Sequence, residues 1–415
     1  MHSSELLVVI GAGQAGAELA VQAREGGWAG SIMLIGDEPH LPYHRPPLSK
    51  SGLTQAHDAD SLAIKARATY AKAGIELITG RKVAHVDLAR TAVHFHDGPS
   101  MRYTRLAFTT GGRARRLPAQ DALHPQVENV HTLRTLADAE RLRAGLMPGQ
   151  RLVVIGGGFV GLEMAAAAAT HGLNVVLLEA APRLLSRVTG ATVADFITQV
   201  HRDAGVDVRT GITVDGLETD ASDRRVTTVC CTNGERFDAD HVLIGVGLEP
   251  DTTLARRAGL PVDDGIVVDA CCRTIVPGVV AAGDCTRQHS ALYGRSLRLE
   301  SVPNAVEQAR AAAASVNGLD RPNTGVPWFW SDQYDIKLKT AGLSQGHDRL
   351  VVRGRPASRT FTVFYLQGDR VLAADAVNRP ADFMLAKRLI SERLAVDPAR
   401  LADDAQPLKT LLPSP

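Results

Sequence analysis

Leu6-Leu-Val-Val-Ile10 runs unbroken into Gly11-Ala-Gly13-Gln-Ala-Gly16, and a helical stretch follows from Ala17 to Gly26. Consecutive apolar residues of this kind suit a parallel strand buried on both faces. The glycines have separate tasks: Gly11 admits a tight turn, Gly13 lets the backbone approach a pyrophosphate, and Gly16 lets the helix pack on the strand. An anion then meets the free amides at the helix N-terminus. The next strand, Ser31 to Ile35, ends at Gly36-Asp37-Glu38. An acid about 20 residues past the glycines, here Asp37, is placed to accept hydrogen bonds from ribose hydroxyls. The glycines alone would be a weak signal. Strand before, helix after and acid on schedule together predict a dinucleotide-binding unit.

The pattern returns. Arg151 to Ile155 reads as a strand, followed by Gly156-Gly-Gly158-Phe-Val-Gly161 and a helix whose alanine run, Ala165 to Ala169, allows close approach to a sheet. A further strand, Asn174 to Leu178, ends at Glu179. No Arg or Lys follows at once, which favours NAD over NADP, while Arg183 keeps a 2′-phosphate contact open. Each half continues with a meander, turning at Asp97-Gly98 and at Asn233-Gly234, and then an apolar strand closing on Thr110-Gly111-Gly112 and on Gly245-Val-Gly247. The interval from turn glycine to closing glycine, Gly98 to Gly111 and Gly234 to Gly247, is the same in both. Hairpins favour Asp-Gly and Asn-Gly turns in any context, but the whole order recurring indicates duplication, with one ligand for each half.

The 415 residues are enough for two or three domains at about 150 residues each. Apolar residues make up 45%, charged residues 22%, and 46 Lys and Arg nearly balance 45 Asp and Glu, which excludes disorder and low complexity. A net charge of +1 and 4% aromatics speak against nucleic-acid binding. Cys230, Cys231, Cys271, Cys272 and Cys285 form no CxxC or CxxxxC pair, so a zinc ribbon or redox dithiol lacks ligands, and no metal site is expected. Met1 to Glu5 carries no basic targeting segment, and no apolar run approaches the roughly 18 residues of a membrane span. A cytoplasmic protein without membrane contact is expected.

Gly11 to Gly16, Pro42-Tyr-His-Arg-Pro-Pro-Leu-Ser-Lys50, Thr109-Thr-Gly-Gly-Arg113, Gly156 to Glu163 and Ala281-Ala-Gly-Asp284 resemble the FAD/NAD-dependent glutathione-reductase superfamily. Within it the chain is similar to the putidaredoxin reductase-like NADH–ferredoxin reductases of bacterial oxygenase systems, nearly end to end. Glu300-Ser-Val-Pro-Asn-Ala305 and Pro327-Trp-Phe-Trp-Ser-Asp-Gln333 take part in that similarity. The implied fold is α/β: two Rossmann-like, three-layer ββα dinucleotide-binding domains of the glutathione-reductase type plus a C-terminal α+β domain. FAD would occupy a discontinuous domain, 1–112 and 248–324, NAD an inserted domain, 113–247, and 325–415 would form the C-terminal domain. Asn323-Thr-Gly-Val-Pro327 is a plausible linker, and Ile336 to Leu338 with Thr360 to Tyr365 suggest an antiparallel sheet.

Disulfide reductases of the superfamily place a CxxxxC after the first ribose-binding strand. This chain has Pro42 to Lys50 there and no cysteine before Cys230. A thiol nucleophile beside the flavin is excluded from that segment, and electrons need another exit. In the family the acceptor is a small acidic 2Fe-2S ferredoxin, which takes one electron at a time and feeds an oxygenase, a cytochrome P-450 before a Rieske enzyme. NADH delivers a hydride and a cluster accepts single electrons, so a flavin between them converts one mode into the other.

The resemblance assigns roles. Lys50 lies near the flavin N5 and pairs with Glu163, where a positive charge favours the anionic reduced flavin. The plain alternatives are a solvated lysine and an ordinary helix charge. Ala15, Asp37, Arg45, Val83, Thr110, Gly111, Arg134, Gly283, Asp284 and Val302 fall at FAD-contact positions beside Gly11, Gly13 and Gly16. Gly283-Asp284 reads as the start of a helix, where Asp284 would otherwise be a simple cap. Gly156, Gly158 and Gly161 would face the NAD pyrophosphate, and Glu179 the adenine ribose. Arg187 is a further NAD candidate against a surface role, and Gly245 and Gly247 would admit the nicotinamide. Trp330 matches an aromatic residue near the isoalloxazine, or else an ordinary core aromatic. Arg310, Lys339 and Lys409 are candidate docking cations, each otherwise solvated surface. The alternatives are another acceptor (rubredoxin, monodehydroascorbate or a quinone) and a redox-sensing flavoprotein.

Overall fold

Leu7, Val8, Val9 and Ile10 are buried, as their unbroken apolar run requires, and strand Leu6–Ile10 is central in a five-stranded parallel sheet. The computed structural model describes residues 5–53, 58–124 and 127–411. The chain divides into two compact units: Met1–His44, His57–Arg113 and Glu249–Pro327 form one, and Arg45–Ala56, Ala114–Leu248 and Trp328–Pro415 the other.

In the first unit the parallel order is Val279–Ala281, Arg105–Phe108, Leu6–Ile10, Ser31–Ile35, Ile75–Ile78. The fingerprint helix is Gln14–Glu25, and it packs along Val302–Val316. Ala17, Ala20 and Ala23 share a core with Ala305, Ala309, Ala312 and Ala313, because side chains no larger than methyl let two helices approach closely. An antiparallel meander, Val83–Asp87, Ala92–Phe95 and Ser100–Arg102, includes the Asp97-Gly98 turn, where Gly98 has φ +106°.

One sequence expectation fails in this unit. Gly283-Asp284 does not begin a helix: strand Val279–Ala281 passes through it into a turn and then strand Thr286–Ser290. Acid after glycine resembles a helix cap, but residues 286–290 instead pair with Ile266–Val268 and Arg295–Leu297. The helix begins only at Val302, where Ser301 caps it by accepting from the Asn304 amide at 3.2 Å.

The second unit repeats the arrangement with Asp207–Thr210, Asn174–Glu179, Arg151–Ile155, His241–Ile244 and Val130–His131, all parallel. Its meander is Val214–Thr219, Val226–Cys231 and Arg236–Asp238. The same unit holds an antiparallel five-stranded sheet ordered Trp328–Gln333, Ile336–Gly342, Arg370–Val377, Thr360–Gln367, Arg349–Arg355, with helix Pro380–Ser391 packed on it. The strands expected at Ile336 and Thr360 are both present, with Arg370–Val377 running between them.

Two buried histidines join neighbouring strands of the parallel sheet. His131 Nε2 lies 3.2 Å from His241 Nδ1 with the rings stacked at 5.5 Å. Burial and the neighbouring ring hold His131 down to about 4, so it is neutral in the folded state at neutral pH. The unfolded chain binds this proton near pH 6.5, so stability contributed above that pH is lost as pH falls toward 4. His131→Gln, which keeps a hydrogen-bonding amide but cannot titrate, should weaken that acid dependence by up to about 2 kcal/mol between about pH 7.5 and pH 5. Urea unfolding of both proteins at pH 7.5 and pH 5 checks this, and parallel losses in both would refute it.

Candidate functional site

At each fingerprint two glycines are required by the protein's own geometry and one is left open. Gly11 has φ +110° and Gly156 φ +111°, and a Cβ there would sit 2.2 Å from the Thr109 carbonyl oxygen and 2.4 Å from the Gly245 carbonyl oxygen. A Cβ on Gly16 or Gly161 would lie 2.0 Å from the carbonyl oxygen of Gly11 or Gly156. At Gly13 and Gly158 a Cβ would meet no protein atom within 4 Å. The first two pairs pin strand to helix, while the third leaves bare backbone at the helix start, open to a phosphate.

Around the first fingerprint, Thr109 is buried and donates from Oγ1 to the carbonyl oxygens of Ile10 (3.0 Å) and Gly11 (2.8 Å). Thr110 Oγ1 donates to the Asp251 carbonyl at 2.5 Å, and the Asp251 amide donates to the Gly111 carbonyl at 2.9 Å. Gly283, with φ +90°, places its missing Cβ 3.0 Å from the Ala15 side chain, so the Gly283 backbone lies against the first turn of the fingerprint helix. Asp37 is exposed just past its strand, Val83 is buried at the start of the meander, and Val302 is the first residue of its helix.

Around the second fingerprint, Glu179 accepts from the Gly157 amide at 2.6 Å and the Ala181 amide at 2.7 Å. The acid therefore ties its strand end to the glycine loop. Arg187 is exposed with Nη2 3.6 Å from the Cβ position of Gly247, so these two NAD candidates come together. Arg45 and Arg134 also meet: Arg45 Nη1 donates to the Arg134 carbonyl at 2.5 Å.

Lys50 closes the proline-ordered turn Pro46–Ser49, and Glu163 stands in helix Phe159–Thr170 just past the second fingerprint. Their separation is 3.8 Å, but Lys50 Nζ has a nearer partner, Asp332 Oδ2, at 2.6 Å. Asp332 is the acid that sequence reasoning missed; it stands in the heptapeptide Pro327–Gln333, yet only tertiary folding brings it to Lys50. Glu163 is 6% exposed and accepts from Ser49 Oγ at 2.5 Å and Ser331 Oγ at 2.7 Å. Burial pushes its carboxyl pKa up, opposed by Lys50 and the two serine hydroxyls. Trp330 is half-buried, its ring centroid 5.7 Å from Lys50 Nζ and 5.7 Å from that of Trp328. This is an ammonium fixed between two acids under an indole, an arrangement that places positive charge at one point and holds it there.

Residues 6–309 match the profile of the pyridine nucleotide-disulphide oxidoreductases, and residues 328–412 that of a reductase C-terminal domain. The chain belongs to the pyridine nucleotide-disulphide oxidoreductase family. It is 47% identical over 412 residues to putidaredoxin reductase CamA of Pseudomonas putida, covering 99% of this chain and 98% of that one. It is 40% identical to rhodocoxin reductase of Rhodococcus erythropolis over 97% of this chain and 93% of that one. The crystal structure of the covalent putidaredoxin reductase–putidaredoxin complex matches with a TM-score of 0.95, covering 99% of this chain and 98% of that chain at 47% identity. A ferredoxin reductase for the CYP199A2 system of Rhodopseudomonas palustris matches at 0.94 with 37% identity, covering 98% and 99%.

As in its family, this oxidoreductase binds FAD and uses NADH, and the bare amides at Gly13 and Gly158 fit two pyrophosphates. It departs from the disulphide chemistry of the family name. All five cysteines are free, and burial pushes the Cys285 thiol up to about 11, far from a reactive thiolate. Among the described residues no cluster of acid, histidine and cysteine side chains could hold a metal ion, and no helix is long and apolar enough to cross a membrane.

Of the docking candidates, Arg310 is already paired with Glu18 at 3.3 Å and Glu307 at 2.9 Å. Lys339 lies over the Phe383 ring at 5.5 Å, and Lys387, which sequence reasoning passed over, over Trp328 at 5.2 Å and Phe383 at 5.8 Å. Lys409 is exposed in the turn Leu408–Leu411, which packs on helix Pro380–Ser391. Met384 on that helix is 62% exposed. Two lysines thus stand over the half-buried Trp328 and the buried Phe383.

Proposed function

We propose that this chain is a cytoplasmic NADH-dependent ferredoxin reductase. It passes electrons to an acidic 2Fe-2S ferredoxin of the putidaredoxin kind and through it to a cytochrome P-450. The observation that carries the reading is Lys50, held by Asp332 and Glu163 where disulfide reductases carry a dithiol. With no thiol to take electrons from the flavin, their acceptor has to be an external carrier. Bound FAD accepts a hydride as a pair of electrons and gives them up singly, the conversion that this pairing of substrates needs.

The chain's own residues supply the rest. Gly13 and Gly158 leave amides for the two pyrophosphates, and Gly11, Gly16, Gly156 and Gly161 give both loops their shape. The proposed FAD set adds Ala15, Asp37, Arg45, Val83, Thr110, Gly111, Arg134, Gly283, Asp284, Val302 and Trp330. Glu179, Arg187, Gly245 and Gly247 complete the NAD set. Lys50 would hold its positive charge beside the flavin, where it would favour the anionic reduced form. Lys339 and Lys387 over Trp328 and Phe383, with exposed Lys409 on the turn packed against helix Pro380–Ser391, suit an acidic partner. Charges of this kind mainly speed encounter, and salt weakens them.

Anaerobic titration of the purified protein tests the reading. NADH should bleach a flavin spectrum, NADPH should do so poorly, and an added 2Fe-2S ferredoxin should restore the colour. Flavin reduced by NADH but not reoxidised by ferredoxin would move the proposal to another acceptor. No flavin spectrum after reconstitution with FAD would end it.

A further inference from the structure

The buried polar groups around Glu163 continue well past the two serines. Ser331, 0% exposed, receives a hydrogen bond from Gln333 Nε2 at 3.0 Å, and Gln333, 1% exposed, accepts from His201 Nε2 at 2.9 Å. His201 is fully buried in the last turn of helix Ala191–Asp203, its ring edge-on to Tyr334 at 5.3 Å. Its Nδ1 is enclosed and has no hydrogen-bond partner. The imidazole is therefore neutral with its proton on Nε2, since a second proton on Nδ1 would bury a charge with nothing to accept from it.

That tautomer sets the direction of every following bond. The Gln333 carbonyl faces the imidazole, so its amide N–H points at Ser331. Ser331 already receives that donor, so its single hydroxyl proton is free for Glu163 Oε1, 2.7 Å away. We infer that His201, Gln333 and Ser331 are positioning residues, a one-way donor chain that keeps the Glu163 carboxylate an acceptor aimed at Lys50. The inference rests on the reading of Lys50 as the flavin-facing charge. A protonated Glu163 could not carry its O–H on Oε1 without meeting the Ser331 proton that already points at that oxygen. The chain thus works against burial, which favours the neutral acid. The charged and titratable groups facing Glu163 are Lys50 from the proline turn, which favours the anion, and Asp332 from strand Trp328–Gln333, which opposes it. His201 acts from the third element through Gln333.

Ser331→Ala removes a hydroxyl donor to a carboxylate, which should raise the Glu163 pKa by about one to two pH units. The readout is the carboxylic acid C=O stretch in an infrared pH titration of the holoprotein, assigned by its loss in Glu163→Gln. Ser331→Thr, which keeps the hydroxyl, should restore the original titration. Gln333→Met, which leaves the serine in place but cuts the chain behind it, should shift the band in the same direction by less. In Ser331→Ala the pH dependence of flavin reduction by NADH should also move upward together with the Glu163 band. An unmoved Glu163 band in both Ser331→Ala and Gln333→Met would overturn the chain. A shifted band with flavin reduction unchanged at every pH would uphold the chain and instead reject the hydride-transfer role of Lys50.

Discussion

Lys50→Ala is expected to slow reduction of the bound flavin by NADH about a hundredfold, the size of effect seen when one preorganised electrostatic contact to developing charge is removed. The ammonium is only 21% exposed and is held at 2.6 Å by Asp332 and 3.8 Å by Glu163, so little reorganisation accompanies the reaction. Its loss removes the charge and also leaves Glu163 buried with serine hydroxyls alone to stabilise the anion. NADH affinity should change little, because the contact matters as charge develops and not in the ground state. Asp332→Asn should have a smaller effect, within about fivefold, since an acid 45% exposed contributes about 1 kcal/mol or less to a pair. Stopped-flow absorbance under anaerobic conditions separates the two variants. Equal hydride-transfer rates in Lys50→Ala and the unaltered protein would reject the role.

What was legible in the sequence follows from how far each requirement reaches along the chain. Gly16 answers to the carbonyl of Gly11 itself, so a short window contains both the demand and its solution. The same holds for Gly156 and Gly161, and the second copy made the pairing of folds readable. Asp37 and Glu179 are legible as acids at strand ends, but the two bonds that Glu179 makes to Gly157 and Ala181 are not, because an acid at that place serves loop and ligand alike. Asp332 was quoted only as part of a motif. Its meeting with Lys50 depends on strand Trp328–Gln333 and the proline turn being brought together by tertiary folding. His201 gave no signal at all: one histidine on an amphipathic helix looks like any core histidine until Gln333 is found against it. The failed helix at Asp284 has the opposite cause. Gly-Asp satisfies the local rule for a cap, and the decision was made by strand partners on either side in sequence, Ile266–Val268 and Arg295–Leu297.

The two fingerprints should also be separable by substitution, with opposite losses. Gly11→Ala forces a left-handed φ of +110° on a residue with a side chain and drives its Cβ to 2.2 Å from the Thr109 carbonyl. Strain at such a position is about 1–3 kcal/mol before the clash is counted, so FAD affinity should fall about a hundredfold or more and the protein should be isolated nearly colourless. Gly156→Ala meets the same conflict against Gly245 at 2.4 Å, in the other unit. It should be purified yellow, with FAD in normal proportion, yet show a KM for NADH raised about a hundredfold or more. Dithionite would still reduce its flavin, and a ferredoxin would still reoxidise it, because neither step uses the nicotinamide site. Flavin content after gel filtration and NADH titration of each variant decide the matter. If Gly156→Ala loses its flavin while Gly11→Ala keeps it, the assignment of the ligands to the two halves is reversed. If both lose it together with normal circular dichroism, the halves do not bind their ligands independently.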